Sequence, residues 1–95
     1  MGYIRLSIVH PHKGEAARVE KLMRELADAA KATPGCTASY LLSAHDQSGE
    51  IARIAVYETE AAANAAANSQ HMLSVRSELH LHIDPGHVER GFSSM

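Results

Sequence analysis

Residues 80 to 87 read HLHIDPGH, three histidines and an aspartate in eight positions. On a β-strand, side chains two apart share a face. His80, His82 and Asp84 would then converge as the nitrogen and oxygen ligands that zinc takes. The flanking residues argue for a different geometry. An apolar stripe at helical spacing leads into His80, and residues two apart on a helix do not face each other. The DPG at 84 to 86 has Pro and Gly where a turn favours them, so His87 belongs to the following element. The run reads as a helix exit and a turn, and no metal or other cofactor is expected from it.

Other reactive types are scattered. Cys36 is the single cysteine, which excludes an intramolecular disulfide and fits a reducing cytoplasm; at the start of a strand it reads as a core residue. Arg5 and Arg53 fall inside apolar stretches. Burying them is costly, so they are expected to reach solvent or to pair with a carboxylate.

The elements that must position these residues follow from periodicity. YIRLSIVH, residues 3 to 10, alternates with Ile4, Leu6 and Ile8 on one face, as a strand does, and Pro11 ends it. Gly14 and Glu15 open a helix. Its apolar stripe is Val19, Leu22, Met23, Leu26 and Ala30, and TPG at 33 to 35 stops it. CTASYLLSA (36 to 44) and IARIAVYE (51 to 58) form a hairpin across the loop HDQSGE. Thr59 is an N-cap for the alanine-rich stretch 60 to 67. NSQ at 68 to 70 marks a kink or re-capping point, after which Met72, Val75 and Leu79 continue the stripe. HVERGFSS supplies a last strand with Val88, Arg90 and Phe92 on one face.

The order is β-α-β-β-α-β within a single domain spanning 1 to 95, a ferredoxin-like α+β fold: one antiparallel sheet with two helices on one face. The first and third strands are expected to run parallel, placing His10 and Tyr57 at one sheet edge, near the start of the last strand. Sixteen residues are Ala, Trp is absent and aromatics make up 4%, so the monomer's core is shallow. An apolar outer sheet face would need a second copy, and a homodimer follows. With net charge −2 and no basic stripe, nucleic acid is not an expected partner. No apolar run approaches the roughly 20 residues that span a bilayer, and a cytoplasmic protein is expected.

From Tyr57 the chain runs YETEAAANAAANSQHM. This resembles the antibiotic biosynthesis monooxygenase family, whose small α+β domains pair into dimeric barrels. Tyr57 stands where members carry Trp at the end of the third strand, Thr59 at their Ser and Ala62 at their Ala. Ser69, Gln70, His71 and Met72 cover their Ser-x-His-aromatic element. HPHKGE and TPGC are similar to the family's linkers. Two features depart from the pattern. Ala66 stands where many members have a second-helix His, and the Asn, Trp and His set of the haem-degrading relatives is incomplete, with no Trp and no Asn in the first strand.

The resemblance implies oxygenation of a small aromatic, phenolic or quinone-type metabolite without metal or flavin. Such chemistry needs a base to ionise the substrate and donors to hold the resulting oxyanion. His71 is the candidate base, because an imidazole titrates near neutral pH. Tyr40, Tyr57 and Asn68 are candidate hydrogen-bond partners of the substrate. Each also has a purely structural reading: His71 as a surface residue beside a kink, the tyrosines as packing residues, and Asn68 as a cap. The alternative at the level of the molecule is a non-catalytic dimeric barrel that binds a small ligand or serves as an assembly module. A cavity beneath the second helix is the feature that bears most on this choice.

Overall fold

The computed structural model describes residues 2–95. Its elements are β1 (Tyr3–Val9), α1 (Ala16–Lys31), β2 (Cys36–Ser43), β3 (Ile51–Tyr57), α2 (Glu60–Ala67), α3 (Gln70–His80) and β4 (Val88–Ser93). The sheet order is β2-β3-β1-β4, and every neighbouring pair is antiparallel. The architecture is the expected ferredoxin-like α+β fold. No helix among the described residues is long and apolar enough to cross a membrane.

One expectation is corrected. β1 runs antiparallel to β3, with Tyr3 opposite Tyr57 and Val9 opposite Ile51. His10 therefore lies at the far end of the sheet from Tyr57. The physical reason is the split βαβ topology: β1 and β2 are the parallel pair, and β3 is inserted between them in the opposite sense. His10 does lie near the start of β4, since Ile8 pairs with Val88.

Of the two readings for 68 to 70, a kink or a re-capping point, the structure shows the second, a full break between two helices. Asn68 closes α2, and Ser69 adopts extended backbone as the N-cap of α3, its hydroxyl accepting from the Met72 amide at 3.3 Å. Thr59 does the same for α2, accepting from the Ala62 amide at 3.1 Å. Capping satisfies amides that a helix start leaves without partners. The link from α1 into β2 depends on Gly35. It has φ +86°, and a Cβ there would sit 2.8 Å from the Ala62 Cβ, so only glycine fits both the turn and the approach of α2.

The helices cover one face of the sheet. Val19, Leu22, Met23 and Leu26 of α1 meet Met72, Val75 and Leu79 of α3 over Val9, Ala55 and Tyr57. The α2 contribution is Ala63 and Ala66. These side chains are a single carbon long, so the core thins toward the α2 end. On the other face of the sheet the side chains are almost all apolar. Ile4 lies opposite Val56 and Phe92, and Ile8 opposite Ala52 and Val88. Tyr40 and Leu42 extend this surface across β2.

Candidate functional site

A cavity of about 190 Å3 lies where the core thins, between the helix-covered face of the sheet and the α2–α3 pair. Ala63, Ala67 and Met72 form the helical wall; Tyr3, Arg5, Arg53 and Tyr57 rise from the two central strands, and Arg76 and Glu89 close one side. Its origin is local. The alanines of α2 bring the helix over the sheet without filling the space beneath it, while strand parity sends the long side chains of β1 and β3 into that space.

The wall is rich in cations. Arg53 is 9% exposed. None of its nitrogens donates a side-chain hydrogen bond to a described residue, and its buried Nε has no acceptor. Burial pushes its pKa below the usual guanidinium range; Tyr57 and Glu89 oppose that shift, and Arg76 and Arg5 reinforce it. An arginine so lowered still carries its charge at neutral pH. Arg76 donates to both oxygens of Glu89, at 3.2 and 3.0 Å, yet its own buried Nε is also without an acceptor. Arg5 donates to Asn64 Oδ1 at 2.5 Å and to the Tyr3 hydroxyl at 3.3 Å, and its guanidinium stands 5.3 Å from the Tyr3 ring centre. Gly91 leaves room for Tyr3, because a Cβ at that position would fall 2.1 Å from the Tyr3 hydroxyl. Arg90 also borders the cavity, but its guanidinium lies over the Phe92 ring at 4.8 Å, on the strand parity of the outer face.

Tyr57 is 3% exposed. Its phenol is pushed up from the ordinary 10.0 by burial and by Cys36, against the pull of Arg53 and Arg5. It therefore stays protonated at neutral pH, able to donate a hydrogen bond into the cavity.

The four residues singled out from the sequence are not gathered at one point. Tyr57 lines the cavity. Tyr40 is 58% exposed and stands on the outer face of the sheet opposite Ile54. Asn68 is the exposed C-cap of α2. His71 is exposed in the first turn of α3, one residue before the wall residue Met72. The expectation for Arg53 is corrected: it is buried without a carboxylate partner. Arg5 is half-buried and reaches the exposed side chain of Asn64, with an amide and a phenol as its acceptors. The signal for both was strand parity: each alternates with residues of the apolar outer face, Arg5 with Ile4 and Leu6, Arg53 with Ala52 and Ile54. Arg76 carried a weaker signal, four residues after Met72 on the same helical stripe.

His80, His82 and Asp84 do not converge on one point. His82 Nδ1 lies 2.5 Å from Glu15. Asp84 reaches the other way, to His10 at 2.8 Å and His12 at 3.4 Å. His80 and His87 face each other with ring centres 4.8 Å apart. With Glu89 they form the one cluster among the described residues whose ligand atoms lie close enough, within 4.8 Å, to hold a metal, although Glu89 is already the acceptor of Arg76.

A ferredoxin-like sheet with a cavity under a broken second helix defines a small α+β architecture. The family model for the antibiotic biosynthesis monooxygenase domain matches residues 3–78, and the chain belongs to that family. Solved structures share the fold. Rv0793 from Mycobacterium tuberculosis superposes with a TM-score of 0.90 at 16% identity, covering 100% of this chain and 96% of its own. SnoaB, a cofactor-independent oxygenase from Streptomyces nogalater, gives 0.85 at 19% identity, covering 99% and 93%. A conserved protein from Methanosarcina mazei Go1 gives 0.91 at 9% identity, covering 100% and 94%. At these identities the likeness is one of fold. No curated protein matches the chain.

Proposed function

We propose that the protein is a cofactor-independent monooxygenase acting on a small aromatic, phenolic or quinone-type metabolite held in the cavity beneath α2. The observation that carries this reading is the cavity itself, lined by a protonated Tyr57 and by Arg5 and Arg53, in a chain of the antibiotic biosynthesis monooxygenase family. A phenol bound there would sit in the positive field of the guanidiniums, which favours its anion. The Tyr57 hydroxyl would donate to the oxygen of that anion, and the anion is the species that reacts with dioxygen. The cofactor-independent oxygenase SnoaB, which shares the fold, supports the same chemistry.

His71 is the proposed base, with Asn68 and Tyr40 as further substrate contacts. The exposure of all three favours a second reading, in which the same cavity binds a small ligand without turning it over. In either case the apolar outer face of the sheet is proposed to pair with a second copy as a dimeric α+β barrel. The deciding experiment follows oxygen uptake with hydroquinone or an anthrol. Under the enzymatic reading the parent consumes oxygen, and His71→Ala lowers kcat by roughly 10²-fold, the scale of a positioned base. A parent inactive on every electron-rich aromatic supports ligand binding alone. A fully active His71→Ala variant returns the ionising role to the arginines.

A further inference from the structure

We infer that the cavity is built for an anionic ligand, a small aromatic carboxylate whose carboxyl group is taken by Arg53. The inference rests on the reading that this cavity is the ligand site, and it names what that ligand must carry. Three guanidiniums, those of Arg5, Arg53 and Arg76, face a single carboxylate, that of Glu89. Both oxygens of Glu89 already accept from Arg76. Arg53 is the most deeply buried of the three arginines and is left without an acceptor among the described residues.

A buried cation without a partner, beside two more of like charge, is destabilising in the empty protein. An anion that enters the cavity removes that cost. The planar fork of a guanidinium matches a carboxylate through two parallel N–H···O bonds; the two terminal nitrogens of Arg53, which donate no hydrogen bond to a described residue and are less enclosed than its Nε, can form such a fork.

The remaining walls set the rest of the ligand. Ala63, Ala67 and Met72 are apolar, and the rings of Tyr3 and Tyr57 are flat. A cavity on the order of 150 Å3 takes up benzene, so about 190 Å3 has room for one ring and its carboxyl group.

The test compares 2-hydroxybenzoate with its neutral isostere 2-hydroxybenzamide, and with inorganic phosphate, by calorimetry and by thermal shift. The acid is expected to bind at least about tenfold more tightly than the amide, the scale of one ionic hydrogen-bonded partner. Arg53→Met is expected to melt no lower than the parent, because it removes an unpaired buried charge, and to lose at least tenfold in affinity for the acid while keeping that for the amide. Glu89→Gln, which removes the competing carboxylate, is expected to tighten acid binding. An amide that binds as well as the acid, phosphate that binds more tightly than the acid, or an Arg53→Met variant with undiminished acid affinity would overturn the inference. These readouts need no turnover. An acid that binds to a protein inactive on every electron-rich aromatic leaves the anion site standing and removes the oxygenase reading, whereas oxygen uptake confined to neutral phenols does the reverse.

Discussion

Tyr57 and Arg53 both line the cavity, on either side of Ala55 along one face of β3, and burial disfavours the charged form of each. For Tyr57 the pH consequence has a definite sign. Its pKa in the folded protein lies above the ordinary 10.0, so the native state keeps a proton that the unfolded chain releases. Stability is then intact below the ordinary tyrosine pKa and is lost as pH rises toward the higher folded value. The urea midpoint of the parent is expected to fall on going from about pH 9 to about pH 11, the range around a free phenol's titration. Tyr57→Phe should lose less over the same interval. Equal losses in the two proteins would assign the alkaline transition to other groups. Arg53 has the opposite direction of shift, so any slope it contributes runs against that of Tyr57.

At the scale of elements, the break between α2 and α3 is what shapes the cavity. A continuous helix over residues 60 to 80 would carry Met72 and Arg76 along the axis of α2 rather than over the central strands. Ser69 sets that break by adopting extended backbone and capping the Met72 amide at 3.3 Å. Replacing it with Ala is expected to cost about 0.5–2 kcal/mol, or a fall in Tm of several degrees for a domain of this size. Because the capped residue is itself a cavity wall, affinity for any cavity ligand should fall as well. Differential scanning fluorimetry and ligand titration on Ser69→Ala check the two effects together. A variant that loses stability and keeps full affinity would show that the wall tolerates a frayed first turn. The ion pair between Arg18 and Glu78 joins α1 to α3 at the other end of the helical layer and leaves the break itself unsupported.

For the molecule as a whole, the outer sheet face presents Ile4, Leu6, Ile8, Ile54, Val56 and Phe92 side by side. A contiguous apolar patch of that kind is rare on a monomer. The chain is therefore expected to elute and scatter light as about twice its 10.3 kDa mass at micromolar concentration. Ile54→Asp places a charge at the centre of that face and should yield monomer, with the helix-side cavity left in place. A parent that is monomeric across that concentration range would defeat the barrel.

Much of this was legible from residue order alone. The alternation of Ile4, Leu6 and Ile8, the stripe from Val19 to Ala30, and the caps at Thr59 and Ser69 depend on neighbours within one element. Local spacing therefore determined the four strands, the helices between them, the ferredoxin-like order and, through YETEAAANAAANSQHM, the family. The charged lining of the cavity was not local in this sense. Arg5, Arg53, Arg76 and Glu89 come from four separate elements, and their convergence depends on which sheet face the helices cover and on β3 running antiparallel to β1. The same pleat decided that Tyr57 lines the cavity while Tyr40 stands on the opposite face. In HLHIDPGH the sequence put four potential ligands within eight residues, but a helix end and a turn send His82 to Glu15, Asp84 to His10, and His80 toward His87. Periodicity assigns residues to elements because it is a short-range property of the backbone. Which side chains share a site is decided by packing between elements, and only the tertiary structure contains that.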